Sequence, residues 1–448
     1  MTYFFEIYGC QMNIAEAAAL RLVCGGRGWT EAARAEDADL VLLHTCSVRA
    51  TAEQRVLGRL GQYAALKKKR RAGGGRFALV LSGCMAARMG GELKKEFPAI
   101  DYLMGPRERE LFPRILEAEE GSFSAGNFPA GSGEAPSAEK PVFSFASSHL
   151  EEGQFRSFIP IMHGCDNFCS YCIVPYVRGR EVSRSPASIL EEIRLLASRG
   201  VREITLLGQN VNSYRRDGTG FPELLGLVAG ELARQGGTIG WARFLSSHPK
   251  DLSLGAIEVM AANPCFCRHL HLCVQHGSNR ILAAMNRRYT REDYLGLVSR
   301  LREAMPGITL STDILVGFPG ETEDDLEETL ALMEQVQFLY AYMYHYNPRE
   351  GTSAYKFEGR ISGELKRARL ARVIALQKKH TASLLKSRIG CTGTALIEGI
   401  SRKNADELVG RTERDEMLVL PGPASLIGSF VTVKFSSLSG NTLRGTLV

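Results

Sequence analysis

The stretch His163-Gly164-Cys165-Asp166-Asn167-Phe168-Cys169-Ser170-Tyr171-Cys172 determines how the rest of the chain is interpreted. Its three cysteines have the spacing CxxxCxxC, and the run contains no fourth cysteine. Iron–sulfur clusters usually take four thiolate ligands, so three cysteines leave one iron without a protein ligand. An open coordination position is typical of catalytic rather than structural metal sites. The stretch therefore predicts a reactive iron–sulfur cluster.

The composition is that of a globular protein with more than one domain. The chain has 448 residues, of which 44% are hydrophobic and 23% are charged, which predicts two or three domains. No run of 18 apolar residues could span a bilayer, and Met1–Ile7 lacks the basic region of a signal peptide. Eleven cysteines, an odd number, favour metal chemistry over a disulfide framework. We therefore expect a cytoplasmic protein with no membrane attachment.

The first 120 residues alternate short β-rich runs with helical patterns. This alternation predicts βαβ units and a doubly wound parallel sheet, so the fold class is α/β. Cys10, Cys46 and Cys84 each follow one of the first three predicted strands. Because ligands bind beyond the carboxyl ends of such strands, we expect the three thiols to converge there. Simple burial is the alternative reading of a cysteine, and it suits Cys24 inside a predicted helix.

Three further segments follow. Residues 121–155 are rich in Gly, Ser, Ala and Pro, which predicts a linker. Residues 156–385 contain six apolar strands with helical patterns between them, which predicts a partial (β/α)6 barrel with its chemistry at the carboxyl ends of the strands. Residues 386–448 contain five short strands, which predicts a small antiparallel, OB-like β-barrel.

Several predicted barrel strands end in glycine or polar residues. A nucleoside-bearing cofactor needs close backbone approach, which glycine permits. The residues predicted to contact such a cofactor are Gly208, Gln209, Asn210, Gln275 and His276. His248 and Asp313 are also expected near the barrel mouth. No residue is assigned a catalytic role.

A second run of possible ligands lies along one predicted strand, where Cys267, His269, His271 and Cys273 would face the same way. Residues on one face of a strand are about 6–7 Å apart per step, which suits a tetrahedral metal site poorly. Packing inside the barrel is therefore favoured for these side chains.

The positive charge of the chain is concentrated in one segment. The net charge is +6, and Glu364–Arg388 contains eight basic residues and one acid, a local +7. The rest of the chain therefore sums to about −1. The segment has a helical period, so its basic residues are either a solvated face or a contact surface for RNA phosphates.

Taken together, the motifs resemble the methylthiotransferase family of radical S-adenosylmethionine (SAM) enzymes from end to end. The stretches that carry the resemblance are Tyr8–Asn13, Thr45–Arg49, Gly83–Met85, Gly164–Glu181 and Leu206–Tyr214. The resemblance implies two [4Fe–4S] clusters and a C-terminal TRAM RNA-binding domain. One cluster would be held by Cys165, Cys169 and Cys172 and would bind SAM. The other would be held by the N-terminal cysteines, Cys10, Cys46 and Cys84, and would donate sulfur.

Within that family, two stretches, Gly164–Glu181 and Leu206–Tyr214, most resemble enzymes that insert a methylthio group at carbon 2 of N6-isopentenyladenosine next to the anticodon of tRNA. Relatives that act on threonylcarbamoyladenosine or on a ribosomal-protein aspartate are the alternatives. An RNA-binding protein with structural or electron-transfer clusters is a non-enzymatic alternative. The expected partners are a tRNA anticodon loop, a flavodoxin or ferredoxin as electron donor, and an unidentified sulfur donor, with the chain a monomer.

Three positions depart from the pattern of the family. His44 stands where Asn is usual, and Cys273 and His276 stand where Pro and Ser are usual. We expect Cys273 and His276 to alter the lining of the substrate pocket, so the departures bear on the fine substrate preference.

Overall fold

The computed structural model describes residues 1–47, 50–121 and 154–448, without the side chains of residues 50–52. The predicted linker, 121–155, thus lies almost wholly outside the described residues. The chain divides into two compact units. The first comprises Met1–Glu151, His163–Asp166 and Ile173–Arg184, and the second comprises Glu152–Met162, Asn167–Cys172 and Ser185–Val448. In the described part of the chain, no helix combines the length and apolar character needed to cross a membrane.

The first unit is built on a five-stranded parallel sheet with the order β2-β1-β3-β4-β5. Its strands are β1 (Thr2–Tyr8), β2 (Thr30–Glu31), β3 (Leu40–Thr45), β4 (Ala78–Gly83) and β5 (Tyr102–Met104). Its helices are α1 (Gln11–Gly26), α2 (Ala50–Ala72), α3 (Cys84–Glu96) and α4 (Leu111–Glu119).

Helices cover both faces of this sheet. Along β3, Leu40 and Leu42 belong to one apolar cluster, whereas Val41 and Leu43 belong to another. A strand that is buried on both faces reads as a continuous apolar run, because successive side chains point to opposite sides. The predicted doubly wound parallel sheet is therefore confirmed.

The second unit contains six parallel strands that follow one another in chain order. They are β6 (Arg156–Pro160), β9 (Glu203–Leu207), β12 (Trp241–Phe244), β13 (His269–His271), β14 (Thr309–Val316) and β15 (Tyr340–His345). A parallel bridge between Ser247 and Leu272 joins the two groups of three strands. This arrangement confirms the partial (β/α)6 barrel.

Helices and short elements connect the barrel strands. The helices are α6 (Pro186–Ser198), α7 (Phe221–Arg234), α8 (Leu254–Ala262), α9 (Asn279–Ala284), α10 (Arg291–Ala304), α11 (Glu323–Val336) and α12 (Gly363–Lys386). The shorter elements are β7 (Met162–His163), α5 (Val174–Arg178), β8 (Val182–Ser183), β10 (Arg215–Arg216) and β11 (Thr219–Gly220).

The last segment forms a closed five-stranded barrel with the order β16-β17-β18-β20-β19. Its strands are β16 (Thr392–Ile400), β17 (Glu407–Thr412), β18 (Met417–Pro421), β19 (Phe430–Ser439) and β20 (Thr442–Leu447). The predicted small antiparallel barrel is confirmed, and one of its strand pairs, β18 and β20, runs parallel. Successive strands alternate in direction, so closing the barrel between β18 and β20 brings two like directions together. Ile397, Leu418 and Phe435 fill the interior.

Candidate active site

The N-terminal cysteines lie at one edge of the parallel sheet of the first unit. Tyr8 pairs with Thr45 and Thr45 with Gly83, so β1, β3 and β4 end level with one another. Cys10 is the N-cap of α1, Cys46 follows β3, and Cys84 begins α3. A Cβ atom on Gly83, at φ 94°, would lie 2.3 Å from the Thr45 carbonyl oxygen. Only glycine therefore permits the turn that leads into Cys84.

The electrostatic surroundings of these thiols favour the thiolate form of Cys10 in particular. A hydrogen bond with Cys46 lowers the pKa of the Cys10 thiol to about 6 against the effect of burial, and the Arg178 cation acts in the same direction. Burial raises the pKa of Cys84, and Arg178 opposes that rise. Asn13 lies 3.2 Å from the Cys10 sulfur and donates to the Thr45 carbonyl at 3.1 Å.

A buried ion network lies behind the cysteines in the same unit. The side chains of Glu16 and Arg178 are 1% and 3% exposed, and Arg178 donates to both carboxylate oxygens, at 2.6 and 3.2 Å. Arg109 is a second partner of Glu16. Burial alone would raise the pKa of Glu16, but Arg109 and Arg178 hold it well below its usual range. The arginine is thus fixed as a cation beside the thiols.

His44 is part of this network. Its Nε2 lies 3.0 Å from a Glu16 oxygen, and its Nδ1 lies 3.0 Å from the Ser82 hydroxyl. The ring is 2% exposed, and it contacts the same Glu16 oxygen that accepts the longer hydrogen bond from Arg178. His163 lies 3.2 Å from Arg178, and burial, reinforced by that cation, lowers its pKa well below the usual range. His163 is therefore a neutral imidazole.

The CxxxCxxC run begins in a tightly constrained turn of the first unit. Gly164 has φ 79°, and a Cβ atom there would lie 2.0 Å from the Arg180 carbonyl oxygen. The half-buried Cys165 donates its backbone N–H to the Gly179 carbonyl at 3.2 Å. The strand-end position of Cys165 therefore depends on the Gly179-Arg180 backbone.

The other two cysteines of the run belong to the second unit. Cys169 is buried, and Cys172 is half-buried and donates its backbone N–H to the Cys169 carbonyl at 2.9 Å. Arg287 donates one guanidinium N–H to the Cys169 sulfur at 3.3 Å and another to the Cys273 carbonyl at 2.7 Å. Tyr289 accepts from Arg287 at 3.0 Å and donates to the Val274 carbonyl at 2.6 Å. Sequence reasoning missed Arg287, which comes from a loop more than a hundred residues away.

Unpartnered polar atoms collect at the carboxyl ends of β9 and β12. The side-chain oxygen of Asn210, both polar atoms of the Asn212 side chain, the hydroxyl of Ser247 and the Nε2 of His248 are buried without a hydrogen-bond partner among the described residues. Burying such groups unpaired is costly, so their clustering suits a polar ligand such as SAM. Burial, reinforced by Arg287, lowers the pKa of His248 to about 2, so this ring is neutral.

The residues predicted to contact the cofactor lie in different surroundings. Asn210 donates to Asp251 at 2.7 Å and keeps its oxygen free for a further bond. A Cβ atom on Gly208 would lie 2.5 Å from the Met162 side chain, so packing already requires glycine there. Gln209 and Gln275 are half-buried, and Gln275 has φ 71°. Cofactor contact by these residues stays a prediction.

His276 is enclosed by neighbours that sequence reasoning did not anticipate. It is fully buried, with Nδ1 3.1 Å from the Thr329 hydroxyl and Nε2 3.3 Å from a Glu321 oxygen. The Ser278 backbone N–H also donates to Nδ1 at 3.0 Å. These contacts direct the ring toward α11 and the turn before it. Cofactor contact by His276 likewise stays a prediction.

The second run of possible ligands separates into two groups. Cys267 packs with Trp241 and Leu396, and His269 contacts Thr309, Ser311 and Tyr340, as expected of barrel packing. His271 and Cys273 instead meet Asp313, with their ligand atoms within 4.8 Å of one another. Spacing along one strand does not reveal this group, because Asp313 comes from the neighbouring strand.

The basic segment forms α12, and part of its charge is compensated internally. Arg369 is 5% exposed and donates to Glu321 at 2.9 Å, and Arg372 pairs with Glu323 and Glu327. Lys379 and Arg388 also form ion pairs, with Glu334 and Glu416. The exposed cations that remain for a phosphate backbone are Arg367, Lys378 and Lys386.

Three family models match consecutive parts of the chain. Residues 2–105 match the uncharacterized protein family UPF0004, residues 159–333 match the radical SAM superfamily, and residues 386–448 match the TRAM domain. The first match contains the N-terminal cysteines, and the second contains the CxxxCxxC run and the carboxyl ends of the first five barrel strands.

Solved structures share the fold at low sequence identity. The radical S-adenosylmethionine methyltransferase TsrM from Kitasatospora setae aligns with a TM-score of 0.56 and 18% identity, covering 76% of this chain and 72% of that one. The cobalamin-dependent S-adenosylmethionine radical enzyme OxsB aligns with a TM-score of 0.55 and 12% identity, covering 85% and 56%. At these identities the likeness concerns the fold alone.

Curated relatives match over the full length. The tRNA-2-methylthio-N(6)-dimethylallyladenosine synthase of Treponema denticola is 52% identical over 456 residues, covering all of both chains. The enzyme of the same name from Geotalea uraniireducens is 41% identical, covering 99% of this chain and 98% of that one. The chain belongs to the family of tRNA-2-methylthio-N(6)-dimethylallyladenosine synthases, a group of radical SAM methylthiotransferases.

Proposed function

We propose that the chain inserts a methylthio group at carbon 2 of N6-isopentenyladenosine next to the anticodon of tRNA. The observation that carries this proposal is the second set of three cysteines, aligned by sheet register beside the buried Arg178. A radical SAM enzyme that only cleaves SAM needs one cluster, whereas sulfur insertion needs a second centre. The full-length similarity to synthases of this name supports the same reaction.

The chain uses two [4Fe–4S] clusters and SAM, and we assign their ligands as follows. Cys165, Cys169 and Cys172 hold the cluster that binds SAM, and the N-terminal cysteines, Cys10, Cys46 and Cys84, hold the sulfur-donating cluster. The thiol donor sets and the cations beside them fit clusters with three protein ligands each. When bound, these groups supply a 5′-deoxyadenosyl radical and the transferred sulfur. Such a cofactor is required because the aromatic C–H of adenine has no useful acidity.

The surrounding residues position and tune these ligands. Arg287 donates to the Cys169 sulfur and holds the Cys273 backbone, which orients one cluster ligand. Arg178, kept charged by Glu16, offsets the negative charge of the N-terminal thiolates. The neutral His248 can hydrogen-bond a polar group of SAM without repelling its sulfonium. Hydrogen bonds of this kind adjust the reactivity of a centre without taking part in the bond changes.

The substrate is tRNA, and we propose the anticodon loop as the part that is bound. A single-stranded loop presents bases that can be splayed out and reached, whereas a paired base cannot be. The proposed domain limits are 1–120, 121–155, 156–385 and 386–448, with the last as the TRAM domain that binds RNA. A flavodoxin or ferredoxin as electron donor, a monomeric chain and a cytoplasmic location, where tRNA is available, complete the proposal.

Nucleoside analysis tests the reaction and the substrate together. Purified tRNA carrying N6-isopentenyladenosine is incubated anaerobically with the reconstituted chain, SAM, dithionite and sulfide, and its nucleosides are separated by mass. The 2-methylthio derivative is expected with the wild-type chain and absent with Cys84→Ala. If the tRNA stays unmodified while a parallel reaction with ribosomal protein in place of tRNA yields a methylthio-aspartate, the protein-modifying alternative is correct. If no 5′-deoxyadenosine is released at all, the non-enzymatic alternative is correct.

A further inference from the structure

Three side chains of different donor type meet inside the second unit, apart from the six cysteines assigned above. His271 ends β13, Cys273 follows it by two residues, and Asp313 lies on the neighbouring strand β14. One nitrogen, one sulfur and one oxygen atom of these residues all lie within 4.8 Å of one another. The regular strand β13 ends at His271, so Cys273 lies beyond it. The spacing along a straight strand therefore does not apply.

The histidine is already oriented as a metal ligand would be. Its Nδ1 lies 2.9 Å from the Ser311 hydroxyl, while its Nε2 lies 3.6 Å from an Asp313 carboxylate oxygen. In metal sites the ring nitrogen that does not bind the metal is almost always hydrogen-bonded, which fixes the tautomer and the ring orientation. Ser311 thus holds the ring with Nε2 directed at the space between the three side chains.

We propose that His271, Cys273 and Asp313 bind a divalent cation of the borderline type, of which Zn²⁺ is the representative. A neutral imidazole, a thiolate and a carboxylate together carry two negative charges, which a divalent cation balances. The bound cation would keep this charge balanced, which matters because an unbalanced charge is costly away from water. Nitrogen, sulfur and oxygen are the ligand atoms that Zn²⁺ takes in proteins, usually with four ligands in total.

The proposed site has an open coordination position and is linked to Cys169 of the CxxxCxxC run through Arg287. Three protein ligands leave the fourth coordination position to water or to a substrate group, as in catalytic zinc sites. Cys273 and Asp313 are only half-buried, so the site is reachable. The same Arg287 that donates to the Cys169 sulfur donates to the Cys273 carbonyl. Arg287 therefore links the backbone of the proposed site to a predicted cluster ligand.

The site is a property of this chain and does not depend on the proposed methylthio transfer. Cys273 occupies a position where the resembling family usually has proline, which offers no ligand atom. The competing interpretation is a hydrogen-bonded triad that holds no metal. The two interpretations differ in zinc content and in the number of sulfur atoms around the zinc.

The test uses the holoenzyme with both clusters reconstituted, so that the six cluster cysteines are occupied and cannot bind zinc. The protein is equilibrated with one equivalent of Zn²⁺ and desalted, and its zinc and iron are measured by plasma mass spectrometry. We expect about one zinc per chain, lost in Cys273→Ser and in Asp313→Asn with iron unchanged. Cys391→Ser, which changes an exposed cysteine, is the matched control and should keep the zinc. Wild-type protein without zinc, or variants that keep it, would overturn the proposal.

X-ray absorption at the zinc edge gives a second readout that does not require any variant to fold. The proposed site predicts one sulfur neighbour at about 2.3 Å, with nitrogen and oxygen atoms completing the shell. A shell of three or four sulfurs would place the zinc at cluster cysteines instead, and a shell without sulfur would exclude Cys273. Either result would contradict the proposed ligands.

Discussion

The two sets of three cysteines are built in opposite ways. The CxxxCxxC ligands are close in sequence, and their supporting groups, such as Arg287 for Cys169, come from distant loops. The N-terminal cysteines are far apart in sequence and are aligned by the register of β1, β3 and β4. Ligands that are close in sequence can therefore be recognised from their spacing. Ligands that are aligned by strand register can be recognised only once the strands have been placed. The difference predicts that the two sets fail differently when a ligand is removed.

The largest expected effect is the loss of methylthio transfer when either set loses a ligand. Cys169→Ala should lower the iron content of the reconstituted protein from about eight to about four per chain, since each cluster contains four irons. It should also abolish the release of 5′-deoxyadenosine. Cys84→Ala should lose the same amount of iron but keep SAM cleavage, because the other cluster is intact. Iron near zero in either variant would contradict two independent centres.

The second prediction concerns the buried ion network behind the N-terminal cysteines. Arg178→Gln leaves the Glu16 carboxylate buried with fewer positive partners, and breaking a buried pair in this way costs about 3–5 kcal/mol of stability. Thermal unfolding should show a clearly lowered transition. The matched control is Arg180→Gln. The Arg180 side chain is 73% exposed, so this variant should show little change in its thermal transition.

A double variant separates charge from packing in the same network. Adding Glu16→Gln to Arg178→Gln removes the uncompensated carboxylate but leaves Arg109 without its anionic partner, so part of the lost stability should return. Equal stability of the single and double variants would mean that the cost comes from lost packing around the arginine.

The placement of the N-terminal cysteines could be anticipated from the sequence, whereas their charged surroundings could not. The apolar runs predicted that Cys10, Cys46 and Cys84 each follow the end of a strand, and parallel order then placed the three cysteines together. In the structure these strands end at Tyr8, Thr45 and Gly83. The Glu16–Arg178 pair could not be anticipated, because the partners are 162 residues apart and no periodic pattern links them. The group formed by His271, Cys273 and Asp313 was missed for a related reason, since two strands contribute to it.

The third prediction tests the long-range support of the CxxxCxxC run. Arg287→Gln removes an N–H donor from the Cys169 sulfur, and hydrogen bonds to cluster sulfurs raise the reduction potential. The iron content should stay the same, while dithionite should reduce a smaller fraction of this cluster, seen as a weaker electron paramagnetic resonance signal. SAM cleavage should fall about 10- to 100-fold, the usual effect of losing an outer partner of a metal ligand.

Arg288→Gln is the control for that experiment. Arg288 is the exposed neighbour of Arg287 and its guanidinium contacts the Asn286 side chain. It should leave the signal and the cleavage rate unchanged. Loss of iron in Arg287→Gln would show that the arginine is needed to assemble the cluster rather than to tune it.

The smallest expected effect distinguishes compensated from free cations on α12. Lys386 is exposed, whereas Arg372 is held by Glu323 and Glu327. If Lys386 contacts a phosphate, Lys386→Gln should reduce the slope of log binding constant against log salt by about 0.7–0.9, the value for one released counterion. Arg372→Gln should leave the slope unchanged, because this cation is neutralised before tRNA arrives. The slopes are measured by filter binding of tRNA between low and moderate salt. Equal slopes for Lys386→Gln and wild type would place the phosphate contacts elsewhere, and the TRAM barrel would be the next surface to test.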